Sequence, residues 1–239
     1  MKSLVILHGW AGERKRWQKF KKQMEKRGWR VFLPALPGFG QEKIVQPWTL
    51  ADYCQWLENF LQKKGLKKIF LLGHSFGGRL TLKFASQEPK NLKGIILVNS
   101  AGLKKKFNFK KIFFWPVAKI GKLIFFLPPF CLFKKPGRWL FYKLVGERDY
   151  YQADKVMRQT LKKVLREDLS RLLKRIKIPT LLVWGGKDKI TPLKDGCLFK
   201  SEIANSRLIV YDREGHGLPF KKSRRLAGDI DKFYNDVFA

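Results

Sequence analysis

The chain has 239 residues, of which 45% are hydrophobic and 14% are aromatic. At this size, folding can bury about three quarters of the surface that the unfolded chain exposes. A disordered protein is excluded, because disorder requires low hydrophobicity as well as high charge. The 51 Lys and Arg residues against 19 Asp and Glu give a net charge of +32. The electrostatic field of this positive charge attracts anions such as nucleic acids, anionic lipids and acidic substrates. The lysines occur in every segment, however, so a general lysine bias spread over the solvated surface would explain the same charge.

The cysteines argue against a disulfide framework or a zinc cluster. There are three, Cys54, Cys131 and Cys197, widely spaced and without a CxxC pair. We expect no metal and no cofactor. The apolar run from Met1 to Leu7 is too short for a signal peptide. The expected location is therefore the reducing cytoplasm, or the periphery of a membrane.

Six short apolar runs, none of which alternates polar with apolar residues, predict strands buried on both faces, as in a parallel sheet. They are Leu4–Leu7, Arg30–Leu33, Ile69–Gly73, Gly94–Val98, Thr180–Trp184 and Arg207–Tyr211. Amphipathic stretches of helical length separate most of them, for example from Thr49 to Lys63. The alternation predicts an α/β fold with a mostly parallel sheet of about six strands, flanked by helices.

One segment, 104–177, contains no clear strand. It has 21 Lys and Arg against 5 Asp and Glu and is rich in aromatic residues. We expect a core formed by 1–103 and 178–239, and a helical lid or cap formed by 104–177.

The sequence Gly73-His74-Ser75-Phe76-Gly77 follows a predicted strand and precedes a predicted helix. A GxSxG motif in this context is typical of a nucleophile elbow, a tight turn that exposes the serine hydroxyl at the top of the sheet. Glycines on either side allow the strand and the helix to approach closely. Ser75 is the candidate nucleophile.

A serine hydroxyl needs a base, and the chain has three histidines. His74 adjoins the serine and is expected to leave on the other side of the turn. His8 follows the first strand, and its side chain is expected to hold that loop through backbone hydrogen bonds. His216 follows the last strand, and loops after parallel strands gather at one edge of the sheet. It is the candidate base.

The base needs a carboxylate that orients its ring. Asp188 follows the strand Thr180–Trp184 and is favoured over Asp195, which lies past the turn, and Asp212, which ends its strand too early. The backbone N–H groups of Trp10 and Phe76 are candidates for an oxyanion hole.

These motifs resemble the α/β-hydrolase family, specifically its serine esterases with a helical lid. The matching residues are His8-Gly9-Trp10, Gly73-His74-Ser75-Phe76-Gly77-Gly78, Gly185-Gly186-Lys187-Asp188 and Gly215-His216. The order Ser75, Asp188, His216 is a known order of the catalytic triad. The chain begins at what resembles the family's third strand, which implies a trimmed sheet edge that is open to solvent or to a partner.

Aromatic side chains of the predicted lid are candidates for binding an apolar acyl or aryl group. With Trp10, the candidate substrate-binding residues are Phe114, Trp115 and Phe126. Packing of the lid onto the core would explain the same aromatic residues. Basic residues also flank the apolar stretch 112–133, which favours an anionic membrane surface as a further partner.

We expect a serine hydrolase of carboxylesterase type that acts on a small-molecule ester. Lactones, thioesters and activated C–C bonds suit the same triad. A non-catalytic or membrane-associated binding protein is the alternative from another class. Nucleic-acid binding through the charge is a third hypothesis, although no nucleic-acid module is found. Oligomeric state is left open.

Overall fold

A computed structural model describes residues 2–10, 12, 14–40, 42–104 and 154–238. Within these ranges six strands form one parallel sheet in the order β2-β1-β3-β4-β5-β6, which confirms the predicted fold class. The strands are β1 (Lys2–Leu7), β2 (Trp29–Phe32), β3 (Ile69–Ser75), β4 (Leu92–Ser100), β5 (Thr180–Gly185) and β6 (Ser206–Tyr211). The helices are α1 (Arg14–Glu25), α2 (Leu50–Lys63), α3 (Phe76–Ala85), α4 (Lys155–Arg166), α5 (Leu193–Glu202), α6 (Leu218–Lys221) and α7 (Ser223–Phe238), with a 3₁₀ helix at Ser170–Arg175.

The inner strands β1, β3, β4 and β5 are buried on both faces over most of their length, which explains their long apolar runs. The prediction of burial on both faces is wrong for the edge strands β2 and β6, which expose Arg30 and Arg207. In β1, Leu4 and Ile6 face one buried cluster while Val5 and Leu7 face the other. Helices α1 and α7 cover the first cluster, and α2, α3 and α5 cover the second. Burying a side chain of this size contributes about 1.5–3 kcal/mol. The sheet is therefore a rigid scaffold for the loops at its edges.

Helix α2 shows how local sequence sets an element boundary. Its cap residue Thr49 accepts a hydrogen bond from the backbone N–H of Asp52, and the Asp52 carboxylate accepts one from the N–H of Thr49 at 2.6 Å. This reciprocal arrangement satisfies two N–H groups that a helix start leaves unpaired. The helix predicted from Thr49 begins as the sequence indicates.

Helix α4 is joined to the helix that follows the nucleophile motif. The buried guanidinium of Arg79, in α3, donates hydrogen bonds to the carbonyl oxygens of Val164, at 2.8 Å, and of Glu167. Lys83 forms an ion pair of 2.6 Å with the Glu167 carboxylate. The C-terminal end of α4 is thus fixed to the core. The cap boundaries 104–177 stay a prediction, because residues 105–153 lie outside the described residues.

Candidate active site

The turn between β3 and α3 positions Ser75. The backbone φ of Ser75 is +52°, a value that residues other than glycine rarely adopt. Helix α3 begins at the next residue. A Cβ added to Gly77 would lie 2.0 Å from the carbonyl oxygen of Leu7, so only glycine fits where α3 crosses the end of β1. These two features are those of a nucleophile elbow, the strained turn that the motif predicts.

Asp188 and His216 meet at the same edge of the sheet, although 28 positions separate them in the chain. Oδ2 of Asp188 lies 2.7 Å from Nδ1 of His216, and the Asp188 side chain is fully buried. His216 is about one fifth exposed. Of the three carboxylates that the sequence offered, the structure pairs Asp188 with the imidazole.

Asp188 is held as an acceptor by four hydrogen bonds. Oδ1 accepts from the backbone N–H groups of Ile190, at 2.7 Å, and Thr191, at 3.0 Å. Oδ2 accepts from the Thr191 hydroxyl at 2.9 Å as well as from His216. Burial by itself would raise the pKa of Asp188, but the hydrogen bond and charge of His216 and the two N–H donors together lower it below its ordinary value. The carboxylate therefore stays ionised and orients the ring.

The imidazole of His216 lies beside the end of β3. Its ring centroid is 4.9 Å from that of His74, the residue before Ser75. No hydrogen bond between the Ser75 hydroxyl and the ring is found in the described part of the chain. Such bonds are often long in free enzymes and shorten when substrate binds. The structure thus places Ser75, Asp188 and His216 at the same end of the sheet, where the strands have their C-termini. The catalytic roles of these residues stay predictions.

The loop after β1 lies against the elbow. A Cβ added to Gly9 would lie 3.3 Å from the Cβ of Ser75, and the Trp10 ring packs edge-on against Phe76 with centroids 5.3 Å apart. Phe76 is the first residue of α3, where backbone N–H groups lack partners within the helix. The backbone N–H groups of Trp10 and Phe76 thus belong to two segments that are in contact, the loop after β1 and the first turn of α3.

His8 has the structural role expected for it. Its Nε2 accepts a hydrogen bond from the N–H of Leu36 at 3.2 Å, so Nδ1 carries the proton and donates to the carbonyl of Gly9 at 2.8 Å. Burial lowers the pKa of His8. The neutral ring ties the loop after β1 to the loop after β2.

Asn99 is a residue of the site that the sequence reasoning missed. Its buried side-chain amide donates to the carbonyls of Gly215, at 3.1 Å, and His216, at 3.2 Å, and accepts from the N–H of Gly185 at 2.8 Å. Its own carbonyl oxygen lies 3.1 Å from the Thr191 hydroxyl, whose single proton it shares with Oδ2 of Asp188. Asn99 thereby joins the loops of the candidate base and the candidate acid. Its position at the end of a strand was the available signal.

The remaining predicted contacts concern the cap. Phe114, Trp115 and Phe126, together with the apolar stretch proposed for membrane contact, lie outside the described residues. Within 2–104 and 154–238, apart from positions 11, 13 and 41, every helix is too short or too polar to cross a bilayer. The same part of the chain holds no group of three His, Cys, Asp or Glu residues that could bind a metal ion.

Comparisons with known proteins agree with this fold. A family model described as the alpha/beta hydrolase fold matches residues 2–117. A lipase from Psychrobacter immobilis is 28% identical over 89% of this chain and 70% of its own length. A pimeloyl-[acyl-carrier protein] methyl ester esterase from Neisseria meningitidis is 24% identical over 92% of this chain and 87% of its own. The solved structure of an esterase from Exiguobacterium antarcticum superposes with a TM-score of 0.75 at 20% identity, covering 98% of this chain and 92% of that one.

Proposed function

Since the chain belongs to the α/β-hydrolase family, we propose that it hydrolyses carboxylic esters through an acyl-enzyme formed on Ser75. The observation that carries the proposal is the 2.7 Å contact between Oδ2 of Asp188 and Nδ1 of His216. This contact lies at the C-terminal ends of the strands, where Ser75 occupies a strained turn. A buried carboxylate bonded to Nδ1 leaves Nε2 of a neutral imidazole free to accept a proton. This is the arrangement that activates a serine hydroxyl.

In the proposed reaction the Ser75 oxygen attacks the ester carbonyl while His216 takes the hydroxyl proton. The N–H groups of Trp10 and Phe76 donate hydrogen bonds to the oxyanion, and loss of one such donor costs about 10²–10³ in rate. His216 returns the proton to the departing alcohol as the C–O bond breaks. A water molecule then attacks the acyl group, passes a proton to His216, and the acid leaves as Ser75 is reprotonated.

A burst assay tests the proposed nucleophile. With excess p-nitrophenyl acetate, we expect release of one p-nitrophenolate per active enzyme before a slower steady state, because the acyl-enzyme accumulates. The Ser75→Ala variant should show no burst, whereas Ser201→Ala, which removes an exposed hydroxyl on α5, should behave like wild type. A burst that persists in Ser75→Ala would contradict the proposal.

The acyl group is proposed to be apolar, and a substrate panel tests this. The two named relatives differ, since one is a lipase and the other a methyl ester esterase of an acyl-carrier protein. The panel should therefore contain p-nitrophenyl esters of increasing chain length, a triglyceride, a methyl ester on a carrier protein, a lactone and a thioester. Preference for the lactone or thioester over every ester would replace the ester assignment while keeping the serine chemistry.

A further inference from the structure

Strand β2 forms one edge of the sheet. Among the described residues it pairs with β1 alone, from Trp29 opposite Lys2 to Phe32 opposite Val5. The N–H and C=O groups on its other side thus face no strand in that part of the chain. An open strand edge is a template on which a further extended segment can pair.

A cavity of about 620 Å³ lies along this edge. We call it the edge groove, and its lining includes Val31 and Phe32 of β2, Arg14 and Lys21 of α1, and Trp56, Phe60, Lys63 and Lys64 of α2. Helices α1 and α2 pack on opposite faces of the sheet. A cavity that both helices reach must lie in the plane of the sheet, beyond β2, where an added strand would run.

The edge groove combines an apolar floor with a basic rim. Phe32, Trp56 and Phe60 are half-buried, and the last two rings stack with centroids 5.8 Å apart. Four cations line the groove against one acid, Glu42, among the described lining residues. Lys21 forms an ion pair with Glu25. Arg14, Lys63 and Lys64 form none with any described residue, so their charges are available to a ligand.

From this placement we infer that the edge groove binds an acidic, extended segment of another protein, which adds to the sheet as a strand beside β2. Backbone pairing would supply affinity, and alternate side chains would select for acids and apolar groups. Pairing with a second copy of this chain is disfavoured, because it would bring two sets of unpaired cations together. The inference is independent of the proposed chemistry, since the edge groove is formed by different residues.

Fluorescence polarisation with synthetic peptides tests the inference on the full chain. The probes are seven-residue labelled peptides that alternate Glu with Val, Ile or Phe. One control replaces the central residue by Pro, which removes a backbone donor, and another replaces Glu by Lys. The variant Lys63→Glu/Lys64→Glu reverses the rim charge. Its matched control, Lys67→Glu/Lys68→Glu, makes the same change in net charge at exposed positions outside the edge groove.

We expect wild type and the Lys67/Lys68 control to bind a Glu peptide equally, and the Lys63/Lys64 variant to bind at least tenfold more weakly. Binding should slow amide hydrogen exchange in residues 30–33. Circular dichroism and thermal unfolding verify that both variants fold. Absence of binding, equal binding of the Pro peptide, equal loss in both double variants, or dimerisation through β2 without peptide binding would each overturn the inference.

Discussion

Nε2 of His74 donates a hydrogen bond to the main-chain carbonyl of His216 at 3.1 Å, which ties the residue before the candidate nucleophile to the loop of the candidate base. His74 is buried, and its Nδ1 has no hydrogen-bond partner among the described residues. Burial, followed by the charge of His216, lowers the pKa of His74 to about 3. The ring therefore stays neutral under the conditions in which the enzyme would work.

This shift predicts a pH-dependent stability. Because the pKa of His74 is about 3 when folded and 6.5 by reference, the unfolded chain binds the extra proton between these values. Stability from His74 is complete above pH 6.5 and falls by about 1.4 kcal/mol per pH unit below it. Urea unfolding of wild type and His74→Gln at pH 7.5, 6.5, 5.5 and 4.5 should give a shallower slope for the variant below pH 6.5. Equal slopes would contradict the prediction.

Asp188→Asn should remove activity without removing the fold. An amide oxygen can still accept from the N–H groups of Ile190 and Thr191, but it no longer provides the negative charge that holds His216 in the required tautomer. We expect kcat to fall by about 10⁴, as for the equivalent change in a serine protease. Stopped-flow assays measure this, with Asp212→Asn as the exposed control. Comparable losses in the two variants would contradict the pairing argument.

Asn99→Asp tests whether this residue positions the base. The carboxylate still accepts from Gly185 N–H, but it cannot donate to the carbonyls of Gly215 and His216, and unpaired buried groups cost about 1–3 kcal/mol each. We expect kcat to fall at least tenfold with KM little changed, because the imidazole is displaced while substrate contacts remain. Ser86→Ala, a change at the buried polar residue that caps the C-terminal end of α3, is the control. A variant that loses stability but keeps the wild-type kcat would show that Asn99 is merely structural.

The Ser75→Gly variant should be more stable to unfolding than the Ser75→Ala variant. A positive φ costs a residue with a Cβ about 1–3 kcal/mol, and glycine avoids this cost, although its unfolded chain is more flexible by about 0.4–1 kcal/mol. We expect Ser75→Gly to exceed Ser75→Ala in free energy of unfolding by about 1 kcal/mol, with both inactive. Urea unfolding at pH 7.5 measures the difference. A less stable glycine variant would mean that the turn is unstrained.

Much of the fold was readable from the sequence because its signals are local. Continuous apolar runs reflect burial on both faces of the inner strands, so the six-residue strand β5 was predicted to within one residue of its C-terminal end. The elbow was readable because the glycines of its motif are required by close backbone approach. The edge groove was not readable from the sequence, because it forms only where α1 and α2 both reach the outer side of β2.

The sequence by itself determined the residue types of the site and the strand ends on which Ser75, Asp188 and His216 lie, since both depend on short-range patterns. The sequence also favoured Asp188 over Asp195 and Asp212 from its place after β5, but only the tertiary structure shows its Oδ2 at 2.7 Å from the imidazole of His216, because that contact joins two separate loops. The tertiary structure also decided the roles of Asn99 and His74, whose contacts at 3.1–3.2 Å join segments more than 110 residues apart. The spacing of apolar residues along the sequence does not predict such contacts, because they form only when strands that are distant in the chain pair in register.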